Sequence, residues 1–445
     1  MRGFRSLLIL LIIAIPVGWL TYRESRRAPG DDEPKKEKVF AVDSEKIEEI
    51  AIKSEAGEQT RLQKSADKGW QIVAPTTAQP DPAEVSGLTT NLSTLEVQRV
   101  VDENPPDLKE YGLSQPRIEV SFKSAGQQHT LLVGQKTPPG TDLYAKRAAD
   151  NRVFLIPSHL EATFNKGTFD LRDKSVLKID RDKLDALELE TADRTTRFTK
   201  PGGGEWQIAS PVKGRADFSA IESLVSRLTG LQMKSVVDDA DQKKAGFQKP
   251  AATVRMGSGS SQATLVVGGP ADEGTVYAKD LSRPLVFTIE SSVLDELEKD
   301  PSEYRQKDLF DARSFNATRV EIVRAGETHG FEKTKTKNKE GQDEETWRQI
   351  SPKARDLDQP SFDTLLTAIT GARATSFVDA GTATKALAAP ELAVTITFDE
   401  GKTQEKVAFA KSGTDAFAAR SGAPGAAKIE PSVLDSITKA LQELK

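Results

Sequence analysis

The chain has 445 residues, 37% of them hydrophobic and 29% charged, and a net charge of only -5 from 62 basic and 67 acidic side chains. That length exceeds one ordinary core, because domains cluster at roughly 100 to 150 residues and divide beyond about 250 to 300. The mixed charge excludes the basic stripe of a nucleic-acid binder, and the lack of cysteine excludes disulfides, thiolate metal sites, a cysteine nucleophile and a lipidated cysteine.

The N-terminus carries the first distinctive segment. Residues 7–22, LLILLIIAIPVGWLTY, are uncharged, with Arg2 and Arg5 before them and Arg23, Arg26 and Arg27 after. At about 1.5 Å per residue they span about 24 Å, slightly short of a usual membrane helix, and the flanking arginines can snorkel to cover the deficit. A cleaved signal peptide is the rival reading, but residues 18–27 offer no convincing small-x-small cleavage site. Residues 1–27 are therefore expected to form a membrane anchor with basic flanks, and residues 28–38 a polar tether. Arginines on both sides leave the charge rule undecided. A single early signal-anchor before a long polar domain usually places that domain outside, so the expected location is the inner (cytoplasmic) membrane, single-pass, with the bulk periplasmic.

Beyond the tether the sequence repeats itself. Trp70-Gln71-Ile72-Val73-Ala74-Pro75, Trp206-Gln207-Ile208-Ala209-Ser210-Pro211 and Trp347-Arg348-Gln349-Ile350-Ser351-Pro352 are one phrase at spacings of 206 − 70 = 136 and 347 − 206 = 141 residues. Such a period is domain-sized and far above that of a solenoid. Before each phrase runs an alternating strand (Ile50 and Ile52; Leu187 and Leu189; Val320 and Ile322). After it comes an amphipathic helix with Leu88 and Leu92, Leu224 and Leu228, or Leu365 and Ile369 on one face. Entry to the helices is signalled by Asp81, Asp217 and Asp358.

Then follow Val100-Val101-Asp102, Val236-Val237-Asp238 and Phe377-Val378-Asp379, a turn ending in Pro116, Pro250 or Pro390, and four further strands before a last helix. Strands, helix, strands, helix predict an α+β domain built on an antiparallel sheet, in three tandem copies over residues 39–177, 178–310 and 311–445. The seams lack Gly/Pro/Ser linkers, which predicts abutting, stiffly joined domains. In the third copy the hairpin before Trp347 is longer, by a basic and then acidic run from Lys333, which reads as a solvated loop.

No constellation for catalysis stands out. His129, His159 and His329 are isolated, so metal or redox sites lack sequence support. Gly257 to Ser261 and Pro201 to Gly204 join strand to strand and lack the helix N-terminus that a phosphate cradle needs. The recurrent Asp102, Asp238 and Asp379 suit turns or caps. The three Trp, and Tyr144, Tyr277 and Phe417 in a shared position, read as core residues of the repeated fold, with an aromatic ligand platform as the alternative. No catalytic, cofactor-binding or metal residue is nominated, and no cofactor is expected.

The Trp-Gln-Ile-x-x-Pro phrase, the turn Tyr111-Gly112-Leu113-Ser114-Gln115-Pro116, the strand Leu131-Leu132-Val133-Gly134 and the run Leu171-Arg172-Asp173-Lys174-Ser175-Val176-Leu177 together resemble a family. It is one of bacterial membrane-anchored proteins catalogued as a domain of unknown function, often encoded beside an ABC transporter of the gliding-motility type. The resemblance implies a non-catalytic accessory or scaffold role, with the inner membrane and a transporter or auxiliary membrane protein as partners. The alternative is a cell-envelope hydrolase or carbohydrate-binding protein.

Overall fold

The computed structural model describes residues 37–238, 242–337 and 343–444. The expected anchor over residues 7–22 and nearly all of its tether lie outside them. Among the described residues, no helix is long and apolar enough to cross a membrane.

The first copy forms an eight-stranded antiparallel sheet. Its strands are β1 (Ile47–Lys53), β2 (Gln59–Ser65), β3 (Gly69–Ala74), β4 (Arg99–Asp102), β5 (Ile118–Ser124), β6 (Gln127–Lys136), β7 (Asp142–Arg147) and β8 (Val153–Pro157). Their order is β3-β2-β1-β5-β6-β7-β8-β4. Strand β1 lies inside the sheet, with Ile50 opposite Leu62 on one side and Phe122 on the other. Helix α1 (Pro82–Thr94) then carries the chain to the far edge, where β4 adds beyond β8. Sheets over residues 186–290 and 317–429 have the same order, each extended at the β3-equivalent edge by a two-residue strand, Gly214–Arg215 or Arg355–Asp356. The α+β repeat predicted from the alternating pattern is the architecture observed.

One face of each sheet is apolar because strand side chains alternate. Ile50, Ile52, Leu62, Val120 and Phe122 are essentially inaccessible and meet Leu88 and Leu92 of α1 in one core. Each such side chain contributes about 1.5 to 3 kcal/mol on burial. The helices start where the aspartates dictate. Asp81 accepts from the backbone N–H of Ala83 at 2.8 Å, Asp217 from Ala220 at 2.9 Å and Asp358 from Ser361 at 3.1 Å. These caps begin α1, α2 (Phe218–Thr229) and α3 (Gln359–Thr370), each cap worth about 1 kcal/mol.

The glycine of the Leu131-Leu132-Val133-Gly134 strand has a steric cause. A Cβ on Gly134 would sit 2.1 Å from the Tyr111 carbonyl oxygen, and one on Gly268 would sit 2.0 Å from that of Ala245. The Tyr111-Gly112 turn and its second-copy counterpart thus pack backbone against backbone. In the third copy Ala410 occupies the equivalent place, and the turn gives way to helix α4 (Ala380–Leu387), capped by Asp379.

Three expectations need correction. The domain boundaries move: Val176 N–H donates to Leu231 and Met233 N–H to Lys174, with Ser175 bridging Gln232. The Lys174–Leu177 stretch is thus the opening segment of the second copy, held by a single bridge, as the segments at Lys38 (bridged to Glu96) and Asp308 (bridged to Arg373) are for the first and third. The chain divides into two compact units between Asp173 and Lys174, with the second and third sheets sharing the second unit. The extra residues of the third copy are not a loop up to Lys337. They lengthen a hairpin, Glu327–Lys337 against Asp343–Ser351, in which basic residues of one strand stand opposite acidic ones of the other, as Lys335 does opposite Glu345. Finally, Trp206 and Trp347 are buried, at 2% and 5% exposed, but Trp70 is only half-buried.

Candidate functional site

Within the second unit, polar chemistry concentrates where the second and third sheets meet. Arg215, on the added edge strand, donates from Nη2 to the Asp308 carbonyl at 2.6 Å and ion-pairs with Asp311. Asp311 also faces Arg420 at 3.1 Å, and Arg420 donates to Glu405 at 2.6 Å. Glu405 is 2% exposed at its side chain and accepts the Asp311 backbone N–H at 2.8 Å. Asp308 takes Arg313 at 2.7 Å and Arg373 at 2.9 Å. The chain of alternating charges draws on both copies and on the segment joining them.

A cavity of about 470 Å³ opens beside this network, lined by Arg215, Arg305, Arg420, Phe377 and the Gly-containing loop at residues 421–427. Burial, reinforced by the neighbouring Arg420 charge, pulls Arg215 down to about 10. Burial likewise lowers Arg305, whose guanidinium lies 3.8 Å from the centre of the Phe377 ring. Arginines remain protonated at neutral pH. The arrangement therefore fixes charge and joins two domains.

The other residues singled out in the sequence lie elsewhere. His129 stacks on Phe122 at 5.0 Å and meets Phe40 edge-on at 5.6 Å. His159 is exposed, and His329 lies 3.8 Å from Glu327. Among the described residues, no group of three or more His, Asp or Glu is placed to hold a metal ion. Asp102 accepts the Asn104 N–H at 2.9 Å in a turn. Asp379 accepts the Thr382 N–H at 2.9 Å, and hydrogen bonds from that residue hold its carboxyl below the usual range. The arginine network went unseen in the sequence because Arg215, Asp308, Asp311, Glu405 and Arg420 come from separate strands and a seam, with no shared motif.

The three Trp phrases form two kinds of environment. The Trp206 indole N–H donates to Glu222 at 3.1 Å, and the Lys200 ammonium lies 4.7 Å from the ring centre. Burial pushes the Glu222 carboxyl up, but the Trp206 and Arg181 hydrogen bonds outweigh it and hold the group below its ordinary value. Trp347 packs on Phe362 at 4.7 Å, with Lys333 at 5.5 Å from its ring. Trp70 instead borders a cavity of about 510 Å³ between β2, β3 and α1.

Two stretches, residues 70–205 and 206–392, match the family described as "Domain of unknown function (DUF4340)". The matches open on Trp70 and Trp206, and the second runs on from the second sheet into the third. No curated protein and no solved structure matches the chain. With more than half of its length covered, the chain belongs to the DUF4340 family.

Proposed function

We propose that the protein is a membrane-anchored, extracytoplasmic accessory or scaffold protein that serves an ABC-type transport complex of the gliding-motility kind and carries out no covalent chemistry. The observation that carries this reading is the Arg215–Asp311–Arg420–Glu405 network. It makes one body of two repeats, and a body of that kind holds partners at a fixed separation. The uncharged run over residues 7–22 supplies the anchor, and the family resemblance supplies the transporter. A single repeat has ample surface for the roughly 800 Å² per partner that a stable contact buries.

The test is recovery of membrane partners with the tagged full chain after carbonate washing. An ABC-type subunit should accompany the intact protein, and deletion of residues 7–22 should release the protein and lose that partner. Release of the intact chain by carbonate, or recovery without any transport subunit, would refute the proposal.

A further inference from the structure

We infer that the groove beside Trp70 is a glycan-binding site that stacks a pyranose ring on the half-buried indole. This inference goes beyond the scaffold reading and does not depend on it.

The argument compares three copies of one design. The helices align on their caps Asp81, Asp217 and Asp358, and the opening segments align on Ile50, Leu187 and Val320. In the second copy a strap closes over the tryptophan: Arg181 reaches from the opening segment to Glu222 at 3.0 Å, and Glu222 holds the Trp206 indole N–H. Position by position, Arg181 becomes Ser44 in the first copy and Ser314 in the third, and Glu222 becomes Ser86 and Asp363; in the third copy Phe362 covers the ring in place of the strap. Beneath the strap, Val225 and Leu366, both buried, become Thr89. The phenylalanine that packs on Trp347, Phe362, becomes the smaller Val85.

The lysine differs as well. Lys200 and Lys333 lie over their tryptophan rings, whereas the equivalent Lys64 donates to the Glu45 carbonyl oxygen at 3.2 Å. Every group that covers the indole in the other copies is thus shortened, made hydroxylic or turned aside in the first. The result is the cavity of about 510 Å³, within the roughly 300 to 1,000 Å³ range of small-ligand clefts.

Its lining specifies the chemistry. Trp70 supplies a flat apolar face. Ser86, Thr89 and Thr90 sit on one side of α1, because residues three and four apart share a face. Ser44 and Gln79 extend this rim of hydroxyl and amide groups, each able both to donate and to accept, and Glu45, Lys64 and Lys68 line the cavity beside them as further polar partners for ligand hydroxyls. A pyranose presents the complement, an apolar C–H face edged by hydroxyls. An acyl chain would leave the hydroxyls unmet, and a phosphate would leave the indole unused.

The test uses the full-length protein in detergent. Affinity electrophoresis through gels containing hydroxyethylcellulose, glycogen, xylan or dextran, with calorimetric titration of chitotetraose, reads binding directly. At least one probe should bind, and Trp70→Ala should weaken it tenfold or more, whereas Trp206→Phe should leave it unchanged. The double variant Ser44→Arg/Ser86→Glu rebuilds the strap. It should abolish binding and reduce acrylamide quenching of Trp70 without lowering the unfolding midpoint. Binding of no probe, or undiminished binding by the strapped variant with its quenching reduced, would overturn the inference. Partner recovery from membranes should be unaffected by Trp70→Ala, which separates failure here from failure of the scaffold reading.

Discussion

The ion network around the buried Glu405 makes a quantitative prediction. Replacing Arg420 with Met strips Glu405, 2% exposed at its side chain, of its 2.6 Å guanidinium partner and leaves it two backbone N–H groups, at 2.8 and 3.4 Å. Removing one partner of a buried pair costs about 3 to 5 kcal/mol. An opposing effect comes from Arg420 itself, whose Nη1 is buried without a hydrogen-bond partner. Losing such a group relieves about 1 to 3 kcal/mol of desolvation, so the expected net loss is about 2 kcal/mol. Glu405→Gln leaves Arg420 paired with Asp311 at 3.1 Å and should cost less. The double variant should fall short of the sum by at least about 1 kcal/mol, as expected of groups in one network. Urea unfolding of the full chain, followed by far-UV circular dichroism and by Trp fluorescence, supplies the cycle. A loss below about 0.5 kcal/mol for Arg420→Met, or additivity within about 0.5 kcal/mol, would refute the assignment of this network as what stabilises the junction.

Other expectations follow from the same geometry. Because the Glu222 carboxyl is held below its unfolded value, its stabilising effect is complete above the unfolded pKa and is lost as pH falls through the folded one. Glu222→Gln should therefore destabilise most at neutral pH and flatten the acid limb of the stability profile; an unchanged limb would show that the Trp206 contact contributes nothing. Gly134→Ala and Gly268→Ala, which drive a Cβ into a carbonyl oxygen, should each cost about 1 to 3 kcal/mol, against less than about 1 kcal/mol for Ala410→Gly at the equivalent strand position. Calorimetric midpoints distinguish the two classes. Lys335→Glu, placed opposite Glu345, should cost about 0.2 to 1 kcal/mol and be partly rescued by salt; equal loss at low and high salt would argue for a packing effect.

The repeat was legible because its signals are local and recur. A Trp phrase, an aspartate cap and a period-two apolar strand each specify their own element, and three copies corrected one another. What was missed depended on distant partners. Leu171 to Leu177 reads as one phrase, yet Ser175 pairs with Gln232, and nothing in the neighbouring sequence marks the break at Asp173. The extended hairpin did leave a trace. Lys333-Thr334-Lys335-Thr336-Lys337 alternates as a strand does, but without apolar residues the alternation was masked by the charge. The phrase around Trp70 is the same as that around its buried counterparts, so the local sequence does not distinguish it. The signal lay on the helix that follows, in Ser86 and Thr89 standing where Glu222 and Val225 stand, and became readable only once the helices could be aligned. The absence of catalytic nominees left the arginine junction unanticipated, since its members share no spacing.

The strand order has a consequence for how the protein is made. Strand β1 emerges early from the ribosome, but one of its two neighbours, β5, begins only at Ile118, and β4 waits for β8 at Val153. At roughly 5 to 20 residues per second, the first three strands stand for seconds with Ile50 and Ile52 uncovered on their β5 side. Pairings so far apart in sequence are intrinsically slow to form. Each repeat is thus committed to closing late and nearly all at once, and a chain of three such repeats passes through that vulnerable interval three times. A nascent chain of this design would depend on holdase protection during synthesis to a degree that the stability of the finished sheets does not reveal.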